Sequence, residues 1–198
     1  MTNSEKRKAQ TKRLVLGAVM TALVIILQAL ASFTTIFGPV SSAVGLIPIV
    51  IGAAMCGPYI GAWLGFIFGI MVLVDPSTNA LFLAFDIPGT IVTVLVKGTA
   101  CGFMAGLVYK WLGKYNSYLG AVAAAIIGPL TNTALFLLGS YIFFMDDAAK
   151  IAGLVGLESN GMALFWALAM ANFVIEIVSN IILSSVCVRI LNFEKKQK

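Results

Sequence analysis

Two charged residues lie inside runs that are otherwise almost wholly apolar: Lys97 in IPGTIVTVLVKGTACGFMAGLVY and Glu176 in ALFWALAMANFVIEIVSNIILSSVCV. Each run is long enough to cross a bilayer, which takes roughly 20 residues. A charge at membrane depth is costly and normally faces a partner or a polar cavity. The chemistry open to these two side chains is therefore an internal ion pair, or recognition of a polar solute by one or both. Asn172, Glu176 and Asn180 recur every four residues and share one helix face. Counted from the ends of their runs, Lys97 lies about 15 Å and Glu176 about 20 Å along their helix axes, depths that permit contact between neighbouring helices. Asn132 and Thr133 follow Gly128-Pro129 and reach a similar depth from the other side, where Pro129 frees a backbone carbonyl.

Other chemistries find no residues. Histidine is absent, so no Ser/His or His-ligand arrangement exists. The sequence contains no GxxxxGK[ST] phosphate loop, no HExxH and no GxSxG. Asp146 and Asp147 are adjacent carboxylates in a loop, where solvation is the simpler reading. Cys56, Cys101 and Cys187 have no metal-ligand spacing and read as small buried hydrophobes. No catalytic residue, metal site or cofactor is expected, and the chain does not read as an enzyme.

The elements that must hold Lys97 and Glu176 follow from composition. The chain of 198 residues is 60% hydrophobic and 11% charged, with a mean hydropathy of +1.01. A soluble domain carries about a quarter charged residues. The expected fold is an all-α integral membrane protein, with no room for a separate soluble domain. Apolar segments fall at about 14–35, 42–57, 58–75, 87–111, 118–145 and 162–191, giving six transmembrane helices. The second is short and carries Pro48, and Gly57-Pro58 is a tight turn before the third. The first run is too long for a signal-peptide core and lacks a small-x-small cleavage site, so it reads as a retained helix.

Eleven of the 13 Lys and Arg residues lie in three places: the N-terminal segment, the loop near 110–117, and the C-terminal end. With six spans all three fall on one side, which the positive-inside rule makes cytoplasmic, together with both termini. This placement reads as a topology signal rather than a basic face for nucleic acid. The whole chain, 1–198, reads as one transmembrane domain. Residues 1–13 form a basic cytoplasmic segment and 192–198 a basic cytoplasmic tail. The outer connections at 76–86 and 146–161 are long and rich in turn formers, either plain loops or lids.

Small residues mark helix contacts. Gly57, Gly61, Gly65 and Gly69 recur every four residues on the third segment, as do Gly98, Gly102 and Gly106 on the fourth. Small stripes let helices approach closely in lipid, so these two predict a tight hairpin. On the first segment Ala18 and Ala22, with Gly17 and Thr21 beside them, serve either internal packing or docking of another membrane protein. Phe82, Phe85, Phe136, Phe165 and Trp166 lie toward the outer side. They read as an interface belt or as walls for a ring-shaped ligand.

In this combination the chain resembles the substrate-binding S components of energy-coupling factor (ECF) vitamin transporters. The residues that carry the likeness are the basic N-terminus before Ala18-x-x-x-Ala22, six spans with both ends inside, LIPIVIGAAMCGPYIGAWLGFIFG at 46–69 and LAFDIPGTIVTVLVKGTACGFMAGLVY at 83–109. The resemblance covers essentially the whole chain. It implies a multi-pass subunit of the cytoplasmic membrane that captures a water-soluble vitamin outside. A separate membrane coupling protein and two ATPase subunits then drive uptake. It also implies that Ala18 and Ala22 dock on the coupling protein, and that the ligand lies toward the outer half. No residue-level ligand set transfers, so the polarity argument supplies the candidates: Lys97, Asn132, Asn172 and Glu176. The chain is similar to the branch that includes pantothenate and riboflavin binders. An intramembrane Lys suits the pantothenate carboxylate, and riboflavin or another micronutrient is the alternative. A stand-alone secondary transporter and a non-transport scaffold, with Lys97 and Glu176 simply paired, remain as readings from other classes.

Overall fold

The computed structural model describes residues 3–34 and 45–154. Between 163 and 181 it describes 163, 165–167, 169, 170, 173, 174, 176–178, 180 and 181. The elements in order are α1 (Asn3–Thr34), α2 (Leu46–Cys56), α3 (Pro58–Val74), the single turn α4 (Pro76–Thr78), a π-helical turn (Asn79–Leu83), α5 (Ile87–Leu112), α6 (Ser117–Phe143) and α7 (Ala148–Leu154). The described residues between 163 and 181 are all helical. No strand occurs among the described residues, so the all-α expectation holds.

Three helices are long and apolar enough to cross a membrane, and a fourth arises if α3 and the bent segment after it form one span. The helix α2 has 11 residues, about 16 Å of rise, which is shorter than a hydrocarbon core of about 30 Å. Pro48 sits in its first turn, where a missing N–H breaks no helical bond. At the other end, α1 runs on past its apolar stretch. Its helix begins at Asn3 rather than near Leu14, so the basic residues Arg7, Lys8, Lys12 and Arg13 sit exposed on the same helix.

Each break has a local cause. Gly57 takes φ +99° between α2 and α3, a conformation that a Cβ disfavours, and Pro58 opens α3. The helix α3 stops at Asp75, whose backbone is extended and whose carboxylate accepts from the Ser77 amide at 2.9 Å and from the Ser77 hydroxyl. There the chain bends by 65°, and residues 79–83 turn over toward α5 and α7. The expected 75–86 loop is thus mostly helical. Asp86 caps α5 by accepting from the Gly89 amide at 3.2 Å. Asn116 caps α6 by accepting from Tyr118 at 2.8 Å. Pro129 lies inside α6, which continues through it.

The glycine stripes meet as their spacing predicts. A Cβ on Gly61 would run into the Gly102 carbonyl, and one on Gly65 into the Gly98 carbonyl; the reverse pairs hold equally. The pairing advances along α3 as it retreats along α5, so the two helices are antiparallel with backbones nearly touching. The helices α5 and α6 are also antiparallel: Gly139 abuts Thr93, Gly89 abuts Phe143, and a Cβ on Gly128 would lie 3.6 Å from both Ala105 and Cys101. That register sets Asn132 and Phe136 of α6 level with Lys97 and Cys101 of α5. An apolar core of Val24, Leu46, Ile49, Leu64, Phe68 and Val94 ties α1, α2 and α3 to α5.

Candidate functional site

Three of the four candidate ligand residues come together. Lys97 lies on α5, half-buried, with its ammonium 5.2 Å from the centroid of the Phe136 ring on α6. Glu176 is buried at 1% exposure and Asn132 at 7%. Lys97 and Glu176 act on each other electrostatically, and Asn132 approaches the Glu176 carboxylate. Cys101, one turn from Lys97 and fully buried, shares the neighbourhood. Asn172 lies outside the described residues. Asn180 is buried, but its amide is spent on its own helix, donating to the Glu176 carbonyl at 2.7 Å.

Charge of both signs is thus held in an apolar bundle without direct closure. No ion pair within 4.0 Å joins Lys97 to Glu176 among the described residues. Glu176 Oε2 and Asn132 Oδ1 are buried with no hydrogen-bond partner. Buried polar groups are nearly always paired, and an unpaired one costs about 1–3 kcal/mol, more for a charge. Lys97 instead faces an aromatic ring, a contact worth about 0.5–2 kcal/mol. This arrangement suits a site that trades weak internal contacts for stronger ones to a polar solute.

An aromatic cluster adjoins the charged group. Phe82 of the π-helical turn packs edge-to-face on Phe136 at 5.9 Å and on Phe144 at 5.3 Å, and Phe136 meets Phe165 at 6.4 Å. Phe85 packs at its margin, and Ile151 of α7 is buried in it. Four of the five outer aromatics therefore point inward, and Trp166, at 48% exposure, is the one that faces out. A belt reading suits Trp166 alone. Sequence could not separate the two roles, because the 65° bend that brings Phe82 over α6 is a tertiary feature.

Ala18 and Ala22 are both exposed, whereas Gly17 packs against Ile60 and Val24 lies in the core. The internal-packing reading therefore fits Gly17 but not the two alanines, which open outward among exposed Leu14, Val15 and Val19. Cys56 and Cys101 are buried, Cys187 lies outside the described residues, and no cluster of metal ligands occurs among the described residues. Asp147 pairs with Lys150 at 2.5 Å on the surface.

The family of substrate-specific components of ECF transporters matches residues 12–191. The chain belongs to that family. A curated relative, the pantothenic acid transporter PanT of Lactococcus lactis subsp. cremoris (strain MG1363), is 26% identical over 153 residues, spanning 70% of this chain and 76% of that protein. No solved structure matches the chain. As a substrate-specific component it is a transport subunit of a multi-pass membrane protein and not an enzyme. Five buried side-chain oxygens among the described residues lack a hydrogen-bond partner. Three of those atoms were missed by the reading of charges and amides: Gln28 Oε1, Thr93 Oγ1 and Ser140 Oγ, all buried without partners. A signal was present for two of them. Thr93 is four residues before Lys97, and Ser140 eight after Asn132, which places each on its helix's polar face.

Proposed function

We propose that this chain is the high-affinity binding subunit of an ATP-driven importer for a water-soluble vitamin, and that the vitamin is pantothenate. The observation that carries the reading is the half-buried Lys97 ammonium, left without a carboxylate partner at contact distance beside an aromatic cluster. An ammonium held this way is a receptor for a small carboxylate, through a charge-assisted hydrogen bond. Asn132, Asn172 and Glu176 take the amide and hydroxyl groups of the same molecule. The name of the Lactococcus relative agrees with that choice. Riboflavin is the second reading, favoured by the five clustered phenylalanines, which suit a flat ring.

Six spans, both termini cytoplasmic, and a place in the cell membrane complete the proposal. Exposed Trp111, Tyr115 and Tyr118 beside Lys110 and Lys114 fit an anchored cytoplasmic interface at the α5–α6 turn. The chain works as one unit over 1–198, with basic cytoplasmic stretches at 1–13 and 192–198. Ala18 and Ala22 offer a small-residue face on which a separate membrane coupling protein packs. Two ATPase subunits supply the energy, since the chain carries no phosphate-binding loop of its own.

Mass spectrometry of small molecules released from the purified, never-unfolded protein tests the reading. Pantothenate at close to one per chain is the expected result. Release of no vitamin after growth in rich medium removes the capture model and moves the secondary-transport and scaffold readings ahead.

A further inference from the structure

Helical serines and threonines commonly donate their hydroxyl to the carbonyl four residues back. Among the described residues five do so: Thr11 to Arg7 at 3.0 Å, Thr21 to Gly17 at 2.8 Å, Ser32 to Gln28 at 3.1 Å, Thr90 to Asp86 at 2.6 Å and Thr131 to Ile127 at 2.8 Å. Among the buried ones that the structure describes, Thr93 and Ser140 do not. Both are buried, at 7% and 0% exposure, and neither hydroxyl oxygen has a hydrogen-bond partner. Leaving a buried hydroxyl unpaired is destabilising, and the usual local remedy is not taken.

Thr93 and Ser140 lie at the same level of the α5–α6 contact. Thr93 packs into the space left by Gly139, the residue before Ser140, where a Cβ would collide with its side chain. Thr93 is four residues from Lys97 and shares its face of α5, and Ser140 is four residues from Phe136 and shares its face of α6. Lys97 and Phe136 are themselves in contact. Thr93 and Ser140 therefore lie about one helical turn along their helices from Lys97 and Phe136, toward the Ile87 end of α5.

We propose that Thr93 and Ser140 form a neutral subsite that takes a hydroxyl group of the substrate while Lys97 holds its anionic end. The inference rests on the substrate-binding reading above and adds the chemistry of the second end. A hydroxyl both donates and accepts, and so does the group it would receive. Two neighbouring hydroxyls can thus donate to and accept from a substrate hydroxyl, and they carry no charge to favour a second carboxylate. The substrate class selected is a small hydroxy acid. Helix packing alone explains burial of Thr93 and Ser140, but not two buried hydroxyls left without partners at one level of the α5–α6 contact.

The test measures binding of two ligands to the purified full chain by calorimetry: pantothenate, and its analogue lacking both hydroxyls but keeping the carboxylate and amide. Thr93→Val and Ser140→Ala are each expected to weaken pantothenate about five- to tenfold and to leave the deoxy analogue unchanged. Lys97→Met weakens both ligands alike. Equal loss of both ligands in the Thr93 and Ser140 variants, or loss of neither, overturns the subsite. If the wild-type chain binds neither ligand, the pantothenate reading fails and the subsite is judged on ligand-free protein. Thr93→Val keeps the volume and removes the open hydroxyl, so a reserved hydroxyl predicts a higher Tm. An unchanged or lower Tm overturns it, because the hydroxyl is then serving the fold.

Discussion

Replacing Gly65 with alanine tests the packing that holds Lys97 in place. A Cβ at this position meets the carbonyl oxygen and carbon of Gly98 and the Thr99 amide, all backbone atoms that no rotamer change can move. The helices α3 and α5 must separate, and overpacking of this kind costs about 1–3 kcal/mol. Alanine also improves helix propensity over glycine by about 1 kcal/mol, so the net loss is up to about 2 kcal/mol. The internal control is Gly153 in α7, where a Cβ would meet nothing within 4 Å. There the same substitution is neutral or stabilising by up to about 1 kcal/mol. Thermal unfolding in one detergent, followed by tryptophan fluorescence, should place Gly65→Ala below and Gly153→Ala at or above the wild type. Gly98 adjoins Lys97, so Gly65→Ala should weaken substrate binding as well, while Gly153→Ala should not. Equal stability of the two variants would refute the argument that backbone contact, rather than side-chain burial, sets the α3–α5 distance.

Lys97→Met should reduce affinity for an anionic vitamin by at least about tenfold, the worth of one charge-assisted hydrogen bond. Full function in the double variant Lys97→Met with Glu176→Leu would favour the scaffold reading instead. Ala18→Trp should abolish uptake in cells while ligand binding by the purified chain persists; loss of both, or of neither, counts against docking through this face. Single cysteines in place of Lys114 and Lys150, probed with a membrane-impermeant thiol reagent on intact cells, should be protected at 114 and labelled at 150. The opposite pattern would invert the proposed topology.

Hydropathy and spacing are properties of short stretches, and what depends on them was legible early. The all-α fold followed from runs too apolar for water, and the α3–α5 hairpin from glycines four residues apart, because a stripe of missing side chains fits only another backbone. Lys97 and Glu176 stood out because a charge in an apolar run is improbable without a purpose. Span counting was less secure: α2 is only 11 residues long and the segment after Asp75 bends by 65°, and neither feature shows in a hydropathy profile.

What each polar group faces is a different kind of fact, because it depends on the register between helices distant in sequence. The antiparallel setting of α5 on α6 puts Lys97 over Phe136 rather than against a carboxylate. The same setting leaves the Thr93 and Ser140 hydroxyls open, while Thr90 and Thr131, on the same two helices, are closed by their own backbone. Sequence alone determined that a charged site lies inside an apolar helical bundle, since the cost of burial is carried by the residue itself. Tertiary structure decided which side chains share that site, since a hydrogen bond or a ring contact exists only once two helices have met.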